Sequence, residues 1–296
     1  MPFLQIVLDI GDRDPVAAEN ACFARGALAV TLADAADDPV LEPAPGSTPL
    51  WNTIRLSALF PAGTDGRELA AALGTAIGLV PEAIHRETLE DRAWEREWLK
   101  DFRPMRFGQR LWICPGGQVA PDPSAVVIEL DPGLAFGTGT HQTTAMCLEW
   151  LDGAALRGRT VLDFGCGSGV LALAALSLGA ASASATDIDP QALLATRENA
   201  ARNHLESALD VLPVGSLPEA QWDVVMANIL AGPLIELAPR LAASTRPSGS
   251  IILAGMLEPQ AESVAAAYGP WFHMSEFASR DGWTALTGTR LGSSAE

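Results

Sequence analysis

At 296 residues, with 48% hydrophobic and only 19% charged residues, the chain has material for about two packed domains and is not disordered. Its net charge of −17 repels nucleic-acid phosphates and attracts basic partners, although an acidic surface also serves solubility alone. Lys100 is the single lysine and no glycine precedes it, which excludes a P-loop and leaves a poor Schiff-base candidate, so kinase, ATPase and pyridoxal-phosphate readings fall away.

Residues Phe3–Ile10 alternate and read as a strand. Asp14-Pro15 opens a helix to about Arg25, an acid at the N-cap followed by proline at the first helical position. Ala27–Leu32 is a second strand, Asp34–Pro49 a loop, Trp51–Leu59 a third strand, Asp65–Ile77 a helix and Ile84–Leu89 a fourth strand. The order β-α-β-β-α-β predicts a small α+β ferredoxin-like domain over residues 1–90. Residues 91–103 read as a linker helix, in which Trp94 and Trp98 lie one turn apart as packing residues.

Over residues 104–296 strands and helices alternate. Strands are expected at Arg110–Cys114 and Ala125–Leu130, then near Val161, Ala185, Asp210, Asp223, Ser250, Phe272 and Trp283. Helices are expected at Thr143–Leu151, Gly169–Leu178, Pro190–His204, Ala231–Ala243 and Pro259–Tyr268. This α/β alternation predicts a Rossmann-like doubly wound sheet. Ser279-Arg280-Asp281-Gly282 is a hairpin signal, so the sheet should end antiparallel. No apolar run approaches the ~18 residues that span a bilayer, and no basic region precedes Phe3. Cys22, Cys114, Cys147 and Cys166 are scattered without a C-x-x-C pair, which argues against a metal site and fits a reducing cytoplasm.

Chemistry concentrates in Val161-Leu162-Asp163-Phe164-Gly165-Cys166-Gly167-Ser168-Gly169, an apolar strand ending in an acid and three alternate glycines before a helix. The glycines permit a sharp turn and close approach of a ligand, and the helix N-terminus offers free N–H groups. The dinucleotide pattern G-x-G-x-x-G fails at both registers, because Val170 and Ala172 stand where glycine is needed. The run D-x-G-x-G-x-G instead resembles motif I of the class I S-adenosylmethionine (AdoMet) methyltransferases. Asp187, ending the next strand, is placed to accept both ribose hydroxyls.

Four runs sharpen the resemblance: D-P-G-L-A-F-G-T-G-T-H-Q-T-T (131–144), L-D-F-G-C-G-S-G (162–169), T-D-I-D-P-Q-A (186–192) and A-N-I-L-A-G-P-L (227–234). In order and spacing they are similar to the PrmA family, which methylates large-subunit ribosomal protein eleven, and W-L-K-D-F-R-P (98–104) matches as well. The resemblance implies AdoMet as cofactor, with contacts at Thr144, Gly165, Asp187 and Asn228. It further implies transfer to lysine ε-amines and the N-terminal α-amine of that basic protein.

Several roles follow from residue chemistry. Gly165 and Gly167 would let backbone amides approach the methionine part, and Asp163 would hold its ammonium directly or through water. Phe136, in a glycine-rich loop running to His141, would close over the sulfonium, or the loop is a rigid turn capping the next helix. His141 is tempting as a base, yet a lone loop histidine is usually structural. Asn228, at the end of an apolar strand, is the candidate catalytic residue, or simply a helix cap. It lacks the Pro-Pro-Tyr that follows it in other amine methyltransferases, so a flat aromatic substrate is disfavoured. Residues 1–103 carry 17 acids and 9 bases, which suits a substrate-recognition arm for a basic protein. We expect a cytoplasmic monomer with neither metal, membrane nor direct nucleic-acid binding. A small-molecule or nucleic-acid methyltransferase, a nucleotide-cofactor oxidoreductase and an inactive AdoMet-binding module are the competing readings.

Overall fold

The computed structural model describes residues 2–36, 50–89, 103–130 and 141–292. Most of the expected 34–49 loop, the 91–103 linker helix but for Arg103, and the 131–144 run up to residue 140, Phe136 included, lie outside them. The chain divides into units of residues 1–97 and 98–296.

The first unit runs β1 (Phe3–Gly11), α1 (Pro15–Phe23), β2 (Ala29–Asp34), β3 (Ile54–Pro61), α2 (Gly66–Ile77) and β4 (His85–Leu89). Its antiparallel sheet has the order β2-β3-β1-β4. Period-two alternation decides its core: Ile6, Leu8 and Ile10 of β1 and Leu56, Ala58 and Phe60 of β3 pack with Ala18, Cys22, Leu69 and Leu73 of the helices. Both helices start on an aspartate that replaces water at the first free amides. Asp14 accepts from Val16 N at 2.9 Å, and Asp65 from Arg67 N at 2.8 Å.

The second unit opens with a three-stranded sheet, β5 (Met105–Phe107), β6 (Leu111–Pro115) and β7 (Val126–Leu130), in that order. Three-residue β5 is too short to show a periodicity, and the sequence gives no sign of it. Then follow α3 (Gln142–Gly153), β8 (Thr160–Phe164), α4 (Val170–Ser177), β9 (Ser182–Asp187), α5 (Pro190–Arg202), β10 (Leu209–Pro213) and β11 (Trp222–Asn228). After these come α6 (Ala231–Glu236), α7 (Ala238–Ser244), β12 (Thr245–Leu257), α8 (Ala261–Tyr268), β13 (Phe272–Arg280) and β14 (Trp283–Arg290). The single helix expected over 231–243 is two. Pro239 cannot donate the i→i−4 bond to Ile235, so the first helix closes at Leu237, whose amide reaches Pro233 O, and a second begins.

The large sheet has the order β10-β9-β8-β11-β12-β14-β13, parallel except for β14, which runs antiparallel to both neighbours. Asp281 (φ 49°) and Gly282 (φ 77°) turn β13 into β14 with two residues of positive φ, the twist a tight hairpin needs. Apolar clusters cover both faces, one with α3 and α4, the other with α6, α7 and α8. From β8 the chain steps outward to β9 and β10, then returns to β11 on the other side of β8. Connections therefore diverge between β8 and β11, which opens a crevice at their carboxyl ends.

Candidate active site

The turn after β8 is held by hydrogen bonds from within. Gly165 N and Cys166 N both donate to Thr186 O, at 2.8 and 3.1 Å, and Gly167 N donates to Asp187 Oδ2 at 3.0 Å. The amides that the sequence suggested would meet a ligand are thus engaged with β9, which is what fixes the shape of the turn. Gly165 serves through clearance instead: its φ of 79° disfavours a side chain, and a Cβ there would collide with Ile229 Cγ2. Helix α5 supports the turn from behind, through Thr196 Oγ1 to Gly167 O (3.0 Å) and Asn199 Nδ2 to Ser168 O (3.0 Å).

Asp163 is buried at the end of β8. Its Oδ2 accepts from Ala172 N at 3.1 Å, capping α4, whose own N-cap Gly169 has no side chain to do so. Its Oδ1 has no hydrogen-bond partner among the described residues. Burial raises its pKa to about 7; the Ala172 amide opposes that shift and the nearby Asp187 charge adds to it. Asp187 closes β9 and accepts from Gly167 N and Asp189 N, both at 3.0 Å, leaving lone pairs on a part-exposed carboxylate. Beside it Ile188 is 88% exposed, an apolar surface of the kind a flat base packs on. Asp189 caps α5 by accepting from Gln191 N at 2.8 Å, as its place before Pro190 suggested.

Asn228 ends β11, opposite Ala254 of β12. Its Nδ2 donates to Thr144 Oγ1 at 3.2 Å, joining two residues that are 84 positions apart in sequence. Thr144 lies in the first turn of α3 and is buried. His141 is the N-cap of that helix: its Nδ1 accepts from Thr143 N and lies 2.7 Å from Thr143 Oγ1. The ring meets Trp283 edge-on at 4.8 Å. The structural role for His141 is the one its geometry supports.

Thr144, Asp163, Gly165, Gly167, Asp187 and Asn228 thus converge on the carboxyl ends of β8, β9 and β11. A family model described as ribosomal protein L11 methyltransferase (PrmA) matches residues 2–291. The chain belongs to the PrmA family. It is 53% identical over 291 residues to the ribosomal protein L11 methyltransferase of Pseudomonas aeruginosa, spanning 98% of this chain and 99% of that one. To the corresponding protein of Azotobacter vinelandii it is 52% identical, spanning 98% and 100%. A solved ribosomal protein L11 methylase from Lactobacillus delbrueckii subsp. bulgaricus matches with a TM-score of 0.59 and 31% identity, over 64% of this chain and 100% of that one.

The PrmA fold is that of a class I methyltransferase, and its cofactor is AdoMet. The donor set suits that molecule: an unpartnered buried carboxylate oxygen for an ammonium, a part-exposed carboxylate for ribose hydroxyls, and an apolar surface for a purine. Sequence reasoning missed Ile188, Ile229 and Trp283. Exposure of a lone isoleucine leaves no trace in a pattern, and the other two act through contacts distant in sequence.

Proposed function

We propose that this chain transfers methyl groups from AdoMet to amines of ribosomal protein L11, and that Asn228 directs the attacking nitrogen. The observation that carries Asn228 is its tether at the switch point, where Thr144 holds its carboxamide at 3.2 Å. AdoMet, when bound, supplies a methyl group already activated on a cationic sulfur. What remains for the protein is to place, neutralise and desolvate the amine. A lysine ε-amine of pKa ~10.4 costs about 4.6 kcal/mol to deprotonate at pH 7, against about 1 kcal/mol for an α-amine. Half-exposed Leu230, two residues after Asn228, supplies apolar surroundings that disfavour the cation. The Asn228 carboxamide, fixed by Thr144, offers an oxygen that accepts from the amine N–H and turns its lone pair to the methyl.

On the cofactor side, Asp163 takes the ammonium, Asp187 the ribose, and Gly165 and Gly167 provide the turn, with Thr144 and Phe136 completing the contacts. Residues 1–90 act as the substrate-recognition domain, 91–103 as the linker and 104–296 as the catalytic domain. The excess of acids in residues 1–103 suits a basic ribosomal protein and disfavours bare RNA. The same reading has the protein working as a monomer in the cytoplasm. No described helix is long and apolar enough to cross a membrane.

Asn228→Ala tests the central assignment. Loss of a positioned polar group at the reacting centre should slow methyl transfer roughly 10²-fold or more. AdoMet affinity, measured by calorimetry, should change far less. Equal losses in both would reduce Asn228 to a cofactor ligand.

A further inference from the structure

Ile229 is gripped between two glycines whose missing side chains it occupies. On one side lies Gly165 of the β8 turn, where a Cβ would strike Ile229 Cγ2. On the other lies Gly255, at φ 91°, inside the irregularity that shifts the β12–β14 register between Leu253 and Met256. A Cβ on Gly255 would strike Ile229 O and come within 2.8 Å of its carbonyl carbon and 2.9 Å of its nitrogen. The Ile229 amide also donates to Ala254 O at 3.1 Å. Backbone and side chain of this one residue are therefore both fixed, by different elements.

The grip has a mechanical meaning for its neighbour. Where Asn is followed by Pro, the ring restricts the conformation of the asparagine itself. Here isoleucine follows Asn228, and that restriction is absent. The Ile229 amide, which a proline could not offer, ties the chain to β12 instead, while its β-branched side chain, restricted at χ1, sets Cγ2 against the turn. We infer that Ile229 is a positioning residue: through its Cγ2 against Gly165 it holds the Asn228 carboxamide in register with the turn that carries the cofactor side of the site. This rests on the assignment of Asn228 above.

Shape and burial can be separated. Ile229→Val keeps Cγ2 and the branch but loses a methylene, whereas Ile229→Leu keeps the carbon count and loses Cγ2. With radiolabelled AdoMet and purified ribosomal protein L11, Ile229→Val should stay within about threefold of wild-type kcat. Ile229→Leu should fall about tenfold or more in kcat, with AdoMet affinity by calorimetry little changed. If Ile229 only buries apolar surface, the order reverses, because the smaller valine then does worse; that result overturns the inference. So does wild-type behaviour of both variants. A double-mutant cycle isolates the route: in the Asn228→Ala background Ile229→Leu should have no further effect on kcat. Full additivity of the two changes overturns the positioning role while leaving Asn228 intact. If Asn228→Ala keeps wild-type kcat, the Asn228 assignment itself fails, and a slow Ile229→Leu in that case also refutes action through Asn228.

Discussion

Asp163 combines two roles that a sequence cannot separate. One oxygen caps α4 at Ala172 and the other is buried without a partner among the described residues, so the same carboxylate stabilises the helix and keeps an oxygen for the cationic ligand proposed above. Burial, as the largest influence, carries its pKa from 3.8 to about 7. Between those values the folded protein holds a proton that the unfolded chain has released, so stability falls as pH rises through the window and is level above about 7. Asp163→Asn, which retains an oxygen for Ala172, should melt above wild type at pH 8 without AdoMet. The gap should shrink as pH drops toward 4. Melting curves that stay parallel across that range would show that Asp163 does not titrate in it. Binding works in the opposite sense, since an ammonium favours the ionised form and pulls the proton off.

At the level of elements, the hairpin between β13 and β14 braces the helix that carries Thr144. Arg280 donates to Glu149 through both terminal guanidinium nitrogens, Nη2 at 2.6 Å and Nη1 at 2.8 Å, and Gln142 Nε2 donates to Asp281 Oδ2 at 2.8 Å. Trp283 adds the edge-on contact with the His141 cap. The Glu149–Arg280 pair is solvent-accessible and adds little stability by itself. The Gln142 bond matters more for geometry, since it lies two residues before Thr144. Asp281→Gly keeps the turn, because residue 281 already has positive φ, and removes that bond together with the carboxylate's attraction for Arg280. An exposed hydrogen bond is worth about 0.5–1.5 kcal/mol, so the AdoMet KM should rise roughly 2- to 10-fold with a smaller change in kcat. An unchanged KM would free the hairpin of any part in holding α3. The turn itself was legible as Asp-Gly between two apolar runs; what it touches, 139 residues away, was not.

For the whole molecule, the two units share a chemistry but not a site. Each has its own apolar core and an excess of acids, and the second holds every described residue of the proposed AdoMet site. If acidity steers a basic protein to the enzyme, that attraction is screened over a Debye length of about 8–10 Å at 0.10–0.15 M salt. Raising salt from about 50 to 300 mM should therefore increase the KM for ribosomal protein L11 several-fold and leave the KM for AdoMet nearly constant. A KM for the protein that ignores salt would remove electrostatic steering from the account and leave shape as the basis of recognition.

Local chemistry determined much of this protein directly. Alternation of apolar residues gave the strands and aspartates at 14, 65 and 189 opened helices, because each is set by a residue's immediate neighbours along the chain, while the run from Asp163 through three glycines, with Asp187 after it, pointed to AdoMet through its resemblance to a known motif. Pro239, too, was in plain view and its break in the helix could have been read. The tertiary structure alone decided that the Gly165–Gly167 amides bond to β9, that His141 caps a helix, that Thr144 meets Asn228, and that Ile229 fills the space of two glycines. Those contacts join segments tens of residues apart. They arise from how the strands are ordered in space, and no periodicity along the sequence records that order.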